Sequence, residues 1–226
     1  MADPQYDVIA IGNAIVDVLA PVTHQFLKDE DLPAGSMRLI DAERSIDLYA
    51  KMGPTKEISG GAAANTLTGA TMLGLKTAFV GQVADDQLGE IYRHDLTSVG
   101  VDFDTPARPY GDSDDQPPTG RCLILVDPDG ERTMNTSLGA SQFLPAAAID
   151  DDLIRSTKVL FLEGYLWDPA EPREAMKRAI QVARDAGVKI AFATCADFCV
   201  HMHGKDFRAL INDGLIDILF VNEEEA

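Results

Sequence analysis

The stretch from Ser59 to Gly74, SGGAAANTLTGATMLG, places a glycine pair before a run of small residues that could carry a ligand. Gly60 and Gly61 permit backbone angles closed to other residues and let a ligand approach the main chain. A helix beginning at Ala62 would supply unpaired N–H groups and a partial positive charge. Asn65, about one turn later, has an amide that both donates and accepts hydrogen bonds. The stretch favours a site for a small polar ligand, such as a sugar, although a tight turn packed with small residues explains it equally well.

Two polar residues interrupt an apolar run near the N-terminus, in the segment GNAIVD. The apolar run Tyr6 to Ile11 predicts a buried first strand, and ligands of open α/β sheets bind where strands end. Asn13 and Asp17 follow this strand, and a buried carboxylate is costly unless it pairs or meets a ligand. Asp17 could accept two hydroxyl protons of a sugar, or it could cap a turn or pair with an arginine. The dinucleotide pattern GxGxxG is absent, which disfavours a nicotinamide-dependent oxidoreductase.

Two later stretches also follow predicted strands and should open onto the same edge of the sheet. Glu163-Gly164-Tyr165 ends the strand Val159 to Leu162, and an aromatic face at Tyr165 or Trp167 could stack on a nucleobase or simply fill the core. Asn222-Glu223-Glu224-Glu225 follows the strand Ile218 to Val221. Three glutamates are favourable at a helix start because of the helix dipole, with or without a metal role.

Cysteines and histidines cluster at positions 195, 199, 201 and 203, which suggests a metal site at first sight. Structural zinc sites usually take their ligands from two separated pairs, whereas these four residues lie in one short segment. We therefore do not predict zinc here.

Strands and helices alternate along most of the chain, which predicts parallel pairing and an α/β fold. Helices are expected over 41–52, 62–73, 145–156, 169–186 and 207–213, and a further one is capped by Asp85 or Asp86 and runs to about Val99. Extra strands after the first strand, and a hairpin around Asp127-Pro128-Asp129-Gly130, interrupt the alternation and predict a small separate sheet.

Composition limits the classes of function. The 226 residues carry a formal net charge of −18, which argues against nucleic acid and anionic membranes as partners. The chain has no apolar run near the roughly 20 residues that span a bilayer. Three cysteines and an acidic N-terminus without a secretory pattern predict a cytoplasmic protein.

Five motifs occur in a recognisable order: GNAIVD, SGGAAAN, LGLKTAFVGQVADDQLG, DPDGERTMNT and FVNEEEA. With them the chain resembles, over nearly its whole length, the PfkB (ribokinase-like) family of carbohydrate and nucleoside kinases. Adenosine kinase-like members are most similar because GNAIVD matches their opening motif. The resemblance implies a three-layer sandwich with a mostly parallel central sheet, within one domain over 1–226. It also implies a small β lid, roughly 14–59 and 101–137, that hinges at Gly60-Gly61 and closes over the sugar.

The resemblance also implies roles for single residues. In such kinases the residues matching Asn13, Asp17, Gly61 and Asn65 hold sugar hydroxyls, and Arg132 matches a lid arginine near the substrate. Substrate-binding roles are expected for a wider set, which comprises Asn13, Asp17, Gly60, Gly61, Asn65, Arg132, Glu163 and Tyr165. Asn222 and Glu225 match the family's Asn-x-x-Glu motif, which acts on Mg²⁺ and the phosphates of ATP mostly through water.

The sequence departs from the family at several positions. Leu67 and Ala84 are mild departures, and alanines at 62–64 replace the lysine of ribokinases. The family's late Gly-Ala-Gly-Asp segment, which provides the catalytic base, has no counterpart before Ala226. We therefore expect the base and the adenine-binding region beyond residue 226, the C-terminal portion of the fold to be missing, and the chain alone to be inactive.

The function expected from the resemblance is an ATP- and Mg²⁺-dependent phosphotransferase acting on the primary hydroxyl of a nucleoside, adenosine first, or of a sugar. A fructokinase-like sugar kinase and a non-catalytic sugar- or nucleoside-binding protein are the alternatives. An exposed lid edge could pair two copies into a homodimer.

Overall fold

The structure is a computed structural model that describes residues 4–111, 113 and 116–226. Within these residues the strands are β1 (Tyr6–Ile11), β2 (Ile15–Pro21), β3 (Met37–Leu39), β4 (Lys56–Gly60), β5 (Thr77–Val80), β6 (Val101–Asp102), β7 (Gly120–Val126), β8 (Arg132–Ser137), β9 (Thr157–Glu163), β10 (Lys189–Ala193) and β11 (Ile218–Phe220). The α-helices are α1 (His24–Asp29), α2 (Ala42–Lys51), α3 (Ala62–Met72), α4 (Gln87–Ser98), α5 (Asp151–Arg155), α6 (Ala170–Ala186) and α7 (Asp197–Asn212).

A six-stranded parallel sheet lies at the centre, in the order β11-β10-β9-β1-β5-β6. Side chains of β1 alternate between its two faces, as the two-residue period of a strand requires. Ile9 and Ile11 pack in a core with α6 and α7, whereas Ala10 packs in a second core with α3 and α4. Helices therefore cover both faces of β1, which gives three layers and confirms the α/β sandwich.

A five-stranded mixed sheet holds the remaining strands, in the order β3-β8-β7-β2-β4. The β7–β8 hairpin is antiparallel, and β2 pairs with β7 in parallel and with β4 antiparallel. Val16 and Val18 on one face of β2 join the core shared with α3 and α4. Ile15 on the other face packs with Cys122 and Ile124. The predicted small sheet is thus present. Its proposed boundaries as a lid stay a prediction, and the strand beginning at Val101 pairs with β5 in the large sheet.

Two predicted helices are wrong in extent. The segment 145–156 is not one helix but a 3₁₀ turn, Ala146–Ala148, followed by α5. Asp150 separates them because its carboxylate accepts hydrogen bonds from the N–H groups of Asp152 and Leu153 and so caps α5. The helix expected from Phe207 instead begins at Asp197, since Cys199 and Phe207 both face the core from α7. The described helices include none with the length and apolar character needed to cross a membrane.

Helix α3 offers a direct test of the packing between the two sheets. Leu67 is fully buried, whereas Leu73, at the end of the same helix, is 86% exposed. We expect Leu67→Ala to lower the free energy of unfolding by about 2–5 kcal/mol, because it removes buried methyl groups and leaves a cavity. Leu73→Ala should change it by less than about 0.5 kcal/mol. Urea unfolding followed by circular dichroism measures both, and equal effects would contradict this packing.

Candidate functional site

The carboxylate of Glu163 joins three separate segments at the carboxyl edge of the large sheet. Its Oε1 accepts hydrogen bonds from both the backbone N and the Nδ2 of Asn13, each at 2.8 Å. Its Oε2 accepts a hydrogen bond from the backbone N of Ala63, also at 2.8 Å. Helix α3 has no cap from its own Gly61, so a side chain from β9 satisfies one of its first N–H groups. The arrangement holds the end of β1 and the start of α3 together.

Glu163 is 1% exposed, and burial raises the pKa of its carboxyl group, while the hydrogen bonds from Asn13 and Ala63 oppose this. Both carboxylate oxygens are engaged with protein N–H groups. The hydrogen bonds of Glu163 therefore position Asn13 and the start of α3. The predicted contact of Glu163 with a substrate stays a prediction.

Gly60 and Gly61 leave room for neighbouring groups to lie close to the main chain. A Cβ on Gly60 would collide with the carboxylate of Asp17, and one on Gly61 would collide with the carbonyl oxygen of Asn13. Gly61 has a φ of 95°, in the region that favours glycine. Only glycine at these positions leaves room for Asp17 and Asn13 to lie where they do.

Asp17 extends from β2 of the small sheet toward Arg132. Burial raises the pKa of Asp17 to about 6, and the positive charge of Arg132 opposes the rise. Among the described residues, none donates a hydrogen bond to this carboxylate. A partly buried carboxylate without a donor is costly, and it is suited to the hydroxyl groups that a ligand would bring.

Asp17 and Asn65 line one cavity of about 310 Å³ between the two sheets, although they are far apart in the chain. Seven of the eight predicted substrate-binding residues line it, and these are Asn13, Asp17, Gly61, Asn65, Arg132, Glu163 and Tyr165. The eighth, Gly60, is not in the lining and contributes by making room for Asp17. The structure brings the predicted residues together, while their contacts with a substrate stay a prediction.

Most of the remaining cavity wall is apolar and was missed from the sequence, although Thr136 and Asp168 also line the cavity. The apolar residues come mostly from the small sheet and comprise Ile15, Met37, Leu39, Cys122, Ile124, Met134 and Leu138. Phe198 of α7 also lines the cavity, with its ring centroid 5.8 Å from that of Tyr165. Both faces of the β7 strand are apolar, so the two-residue period gave no sign of which side faces a ligand. Phe198 was missed because α7 was expected to begin later.

Trp167, the other aromatic residue suggested for stacking, lies in the core. It is 2% exposed, its Nε1 donates a hydrogen bond to Asp206, and its ring packs against Phe207. Tyr165 alone of the pair reaches the cavity.

Asn222 and Glu225 fold onto each other after β11. The Asn222 Nδ2 donates a hydrogen bond to Glu225 Oε1 at 2.9 Å, and Asn222 Oδ1 accepts bonds from the backbone N of Glu224 and of Glu225. Thr194 Oγ1 donates to Glu225 Oε2 at 2.5 Å. The residues 223–225 form a turn rather than the expected helix start. The carboxylate and amide oxygens of this turn are of the type that Mg²⁺ binds, and because protein groups already bond to them, contacts through water would suit them.

The cysteines and histidines near the start of α7 have other partners. Cys199 is buried in the core, His201 pairs with Asp197 and His203 Nε2 lies 3.0 Å from Asp168. Cys195 follows β10 with a φ of 75°, and its carbonyl accepts a hydrogen bond from the hydroxyl of Tyr165.

Comparison with known proteins agrees with this architecture. The family model of the pfkB family carbohydrate kinases matches residues 37–226. The chain belongs to this family. Among curated relatives, it is 27% identical to guanosine-inosine kinase of Escherichia coli, over 97% of this chain and 51% of the relative. It is 30% identical to 5-dehydro-2-deoxygluconokinase of Shouchella clausii, over 83% of this chain and 50% of the relative.

Solved structures of this family are similar over almost the whole chain. A crystal structure of adenosine kinase from Sinorhizobium meliloti gives a TM-score of 0.88 at 43% identity, over 98% of this chain and 66% of that one. The structure of a probable sugar kinase from Rhizobium etli gives a TM-score of 0.89 at 40% identity, over the same shares of the two chains. The likeness confirms the ribokinase-like fold. The chain spans about half the length of the curated relatives and 66% of these two structures.

The raised pKa of Asp17 predicts a gain in stability when its charge is removed. Burial raises this pKa to about 6, above the roughly 3.9 of an unfolded chain, so ionised Asp17 destabilises the fold above about pH 6. We expect Asp17→Asn to raise the Tm at about pH 7.5, and the gain to shrink as the pH falls from about 6 to 4.

Asp7→Asn is the matched control, because hydrogen bonding with Lys158 lowers the pKa of Asp7. Asp7→Asn should therefore lower the Tm at neutral pH, with the loss fading in acid as wild-type Asp7 becomes protonated. Calorimetric melts across the pH range measure both variants. A lower Tm for Asp17→Asn at neutral pH would contradict the buried, unpaired carboxylate.

Glu163→Gln should weaken the junction between β1, β9 and α3. A glutamine side chain offers one carbonyl oxygen and one NH₂ group, so it cannot accept from both Asn13 and Ala63 through separate oxygens. We expect the free energy of unfolding to fall by about 1–3 kcal/mol, the range for an unsatisfied buried group. The exposed Glu223→Gln is the control and should have little effect. A neutral Glu163→Gln in urea unfolding would show that the junction does not depend on this carboxylate.

Proposed function

We propose that the protein to which this chain belongs is an ATP-dependent kinase that phosphorylates the primary hydroxyl of a nucleoside, adenosine first. The observation that carries the proposal is that one cavity combines two kinds of lining. Asn13, Asp17 and Asn65 supply polar groups, whereas Tyr165, Phe198 and side chains of the small sheet supply aromatic and aliphatic surface. A nucleoside likewise combines a hydroxylated ribose with an aromatic base.

The polar part suits a ribose diol. The carboxylate of Asp17 has no hydrogen-bond donor among the described residues, so it can accept hydrogen bonds from two hydroxyl groups. The Nδ2 of Asn13 is held by Glu163, so its Oδ1 is left to accept a further hydroxyl proton. Asn65 lies on the first turns of α3 and exposes its amide to the cavity. The three side chains come from different elements, so they can hold one sugar ring in a fixed orientation.

The apolar part favours a nucleoside over a bare sugar. Aromatic and aliphatic side chains bind ring systems and gain by covering apolar surface, which a sugar such as fructose lacks. The cavity of about 310 Å³ is at the small end of the range for ligand pockets, as a nucleoside requires. The similarity to a structure described as an adenosine kinase supports adenosine among the nucleosides.

ATP and Mg²⁺ complete the proposed reaction. ATP supplies the phosphoryl group, and Asn222 and Glu225 would hold the hydrated metal at the end of β11. Phosphoryl transfer depends mainly on positioning and on charge stabilisation. This chain's own contribution is to bind and orient the acceptor, and closure of the small sheet over it would exclude water. A cytoplasmic location and a homodimer formed through the small sheet stay predictions.

Binding of candidate acceptors tests the proposal. Isothermal titration with adenosine, guanosine, ribose and fructose should give the tightest binding for adenosine. Asp17→Asn should weaken the binding of adenosine at least about tenfold, because hydrogen bonds to a charged group contribute about 1.5–3 kcal/mol. Asp185→Asn, on the exposed face of α6, is the matched control and should leave the affinity unchanged.

ADP release by the protein expressed from its complete gene separates a kinase from a binding protein. Adenosine-dependent release supports the kinase, and adenosine binding without release supports the non-catalytic binder. A preference for fructose with no nucleoside binding would replace the proposal with a fructokinase-like sugar kinase.

A further inference from the structure

Three potential metal ligands meet away from the acceptor cavity, where α1 begins beside the β7–β8 turn. The ring of His24 lies between two carboxylates, with Nδ1 at 3.5 Å from Asp127 Oδ2 and Nε2 at 3.3 Å from Asp129 Oδ2. One ligand atom from each residue can be chosen so that all three lie within 4.8 Å of one another. Among the described residues, these are the histidine, cysteine or carboxylate side chains that lie close enough together for three of them to hold one metal ion.

Asp127 is a pre-positioned ligand rather than a flexible surface carboxylate. Its Oδ1 accepts hydrogen bonds at 2.9 Å from the backbone N of Asp129 and of Glu131, which fixes the side chain in the hairpin turn. The side chain is 2% exposed. Its Oδ2 receives no N–H or O–H hydrogen bond from the described residues and faces His24 at 3.5 Å. A carboxylate oxygen with no donor bonded to it, on a side chain that is otherwise buried, is available to bind a cation.

The other two ligands are accessible and can adjust. The side chain of His24 is 50% exposed and that of Asp129 is 79% exposed, so an ion can enter from solvent. Two ligand atoms bound at about 2.1 Å to one tetrahedral ion lie about 3.4 Å apart. The three ligand atoms, now within 4.8 Å of one another, must therefore move closer together, which the exposed His24 and Asp129 side chains allow. One imidazole nitrogen and two carboxylate oxygens form a donor set that Zn²⁺ accepts, with water in the fourth position.

We propose that His24, Asp127 and Asp129 bind one Zn²⁺ ion, which fastens the start of α1 to the β7–β8 turn. The site is separate from the proposed nucleoside cavity and from Asn222 and Glu225, so it does not depend on the proposed function. Because α1 and the hairpin belong to the small sheet and its cover, bound Zn²⁺ would stiffen this part of the protein.

Zinc titration of the purified chain, with its cysteines kept reduced, tests the site. We expect a binding event that is lost in His24→Gln and weakened at least about tenfold in Asp129→Asn, because each removes one ligand. Both residues are exposed, so the variants should fold as the wild type does. Asp127→Asn is less informative because the same side chain fixes the turn. Zn²⁺ should also raise the Tm of the wild type but not that of His24→Gln.

His201→Gln is the matched control, because His201 pairs with Asp197 on α7 but has no second carboxylate ligand. Its zinc titration should equal that of the wild type. Anomalous scattering at the zinc edge from a soaked crystal should give a peak beside His24. The proposal is overturned if wild type and His24→Gln bind Zn²⁺ equally, if the loss follows His201 instead, or if no zinc binds and His24 serves only as an ion-pair partner.

Discussion

The buried carboxylate of Glu163 is the contact on which the candidate site depends. It receives three N–H hydrogen bonds from two segments that are distant in sequence, the end of β1 at Asn13 and the start of α3 at Ala63. Burying a carboxylate is unfavourable, and only this set of donors makes the position tolerable. In return it fixes the side chain of Asn13 and the direction of α3, and through α3 the position of Asn65. A shift of the Glu163 carboxylate would therefore move both Asn13 and Asn65, which line the cavity.

Asp17 shows the opposite balance, because none of the described residues donates a hydrogen bond to its carboxylate and Gly60 leaves the room that it occupies. Glu163 is buried and satisfied, whereas Asp17 is partly buried and unsatisfied. A satisfied buried carboxylate helps to hold the fold together, whereas an unsatisfied one lowers stability. This contrast is the physical reason for proposing that Asp17 is kept for a ligand and that Glu163 positions its neighbours.

Local rules predicted much of this molecule from its sequence. Alternation of strands and helices indicated the parallel sheet, and Asp41 was correctly expected at a helix start. Asp86 is the cap of α4, where the sequence left Asp85 and Asp86 as alternatives. Gly60 and Gly61 were expected to admit a ligand, whereas the structure shows that they make room for Asp17 and Asn13. Phe198 and the apolar wall were missed because they depend on tertiary packing. Strand β7 is apolar on both faces, Leu123 and Leu125 facing the core while Cys122 and Ile124 face the cavity. Periodicity cannot tell which apolar face is filled by the protein and which by a ligand.

The two apolar faces of the small sheet also bear on how the site would work. The face containing Leu123 is covered within the protein. The face containing Ile124 and Met134 borders the cavity, together with Met37 and Leu39, which are exposed. Apolar surface of this kind is removed from water only when something occupies the cavity. A ligand with an apolar ring would therefore supply part of the free energy for the proposed closure of the small sheet over the cavity, whereas a polar sugar would supply less. Closure and selectivity would then have the same physical origin, the apolar area that the acceptor covers.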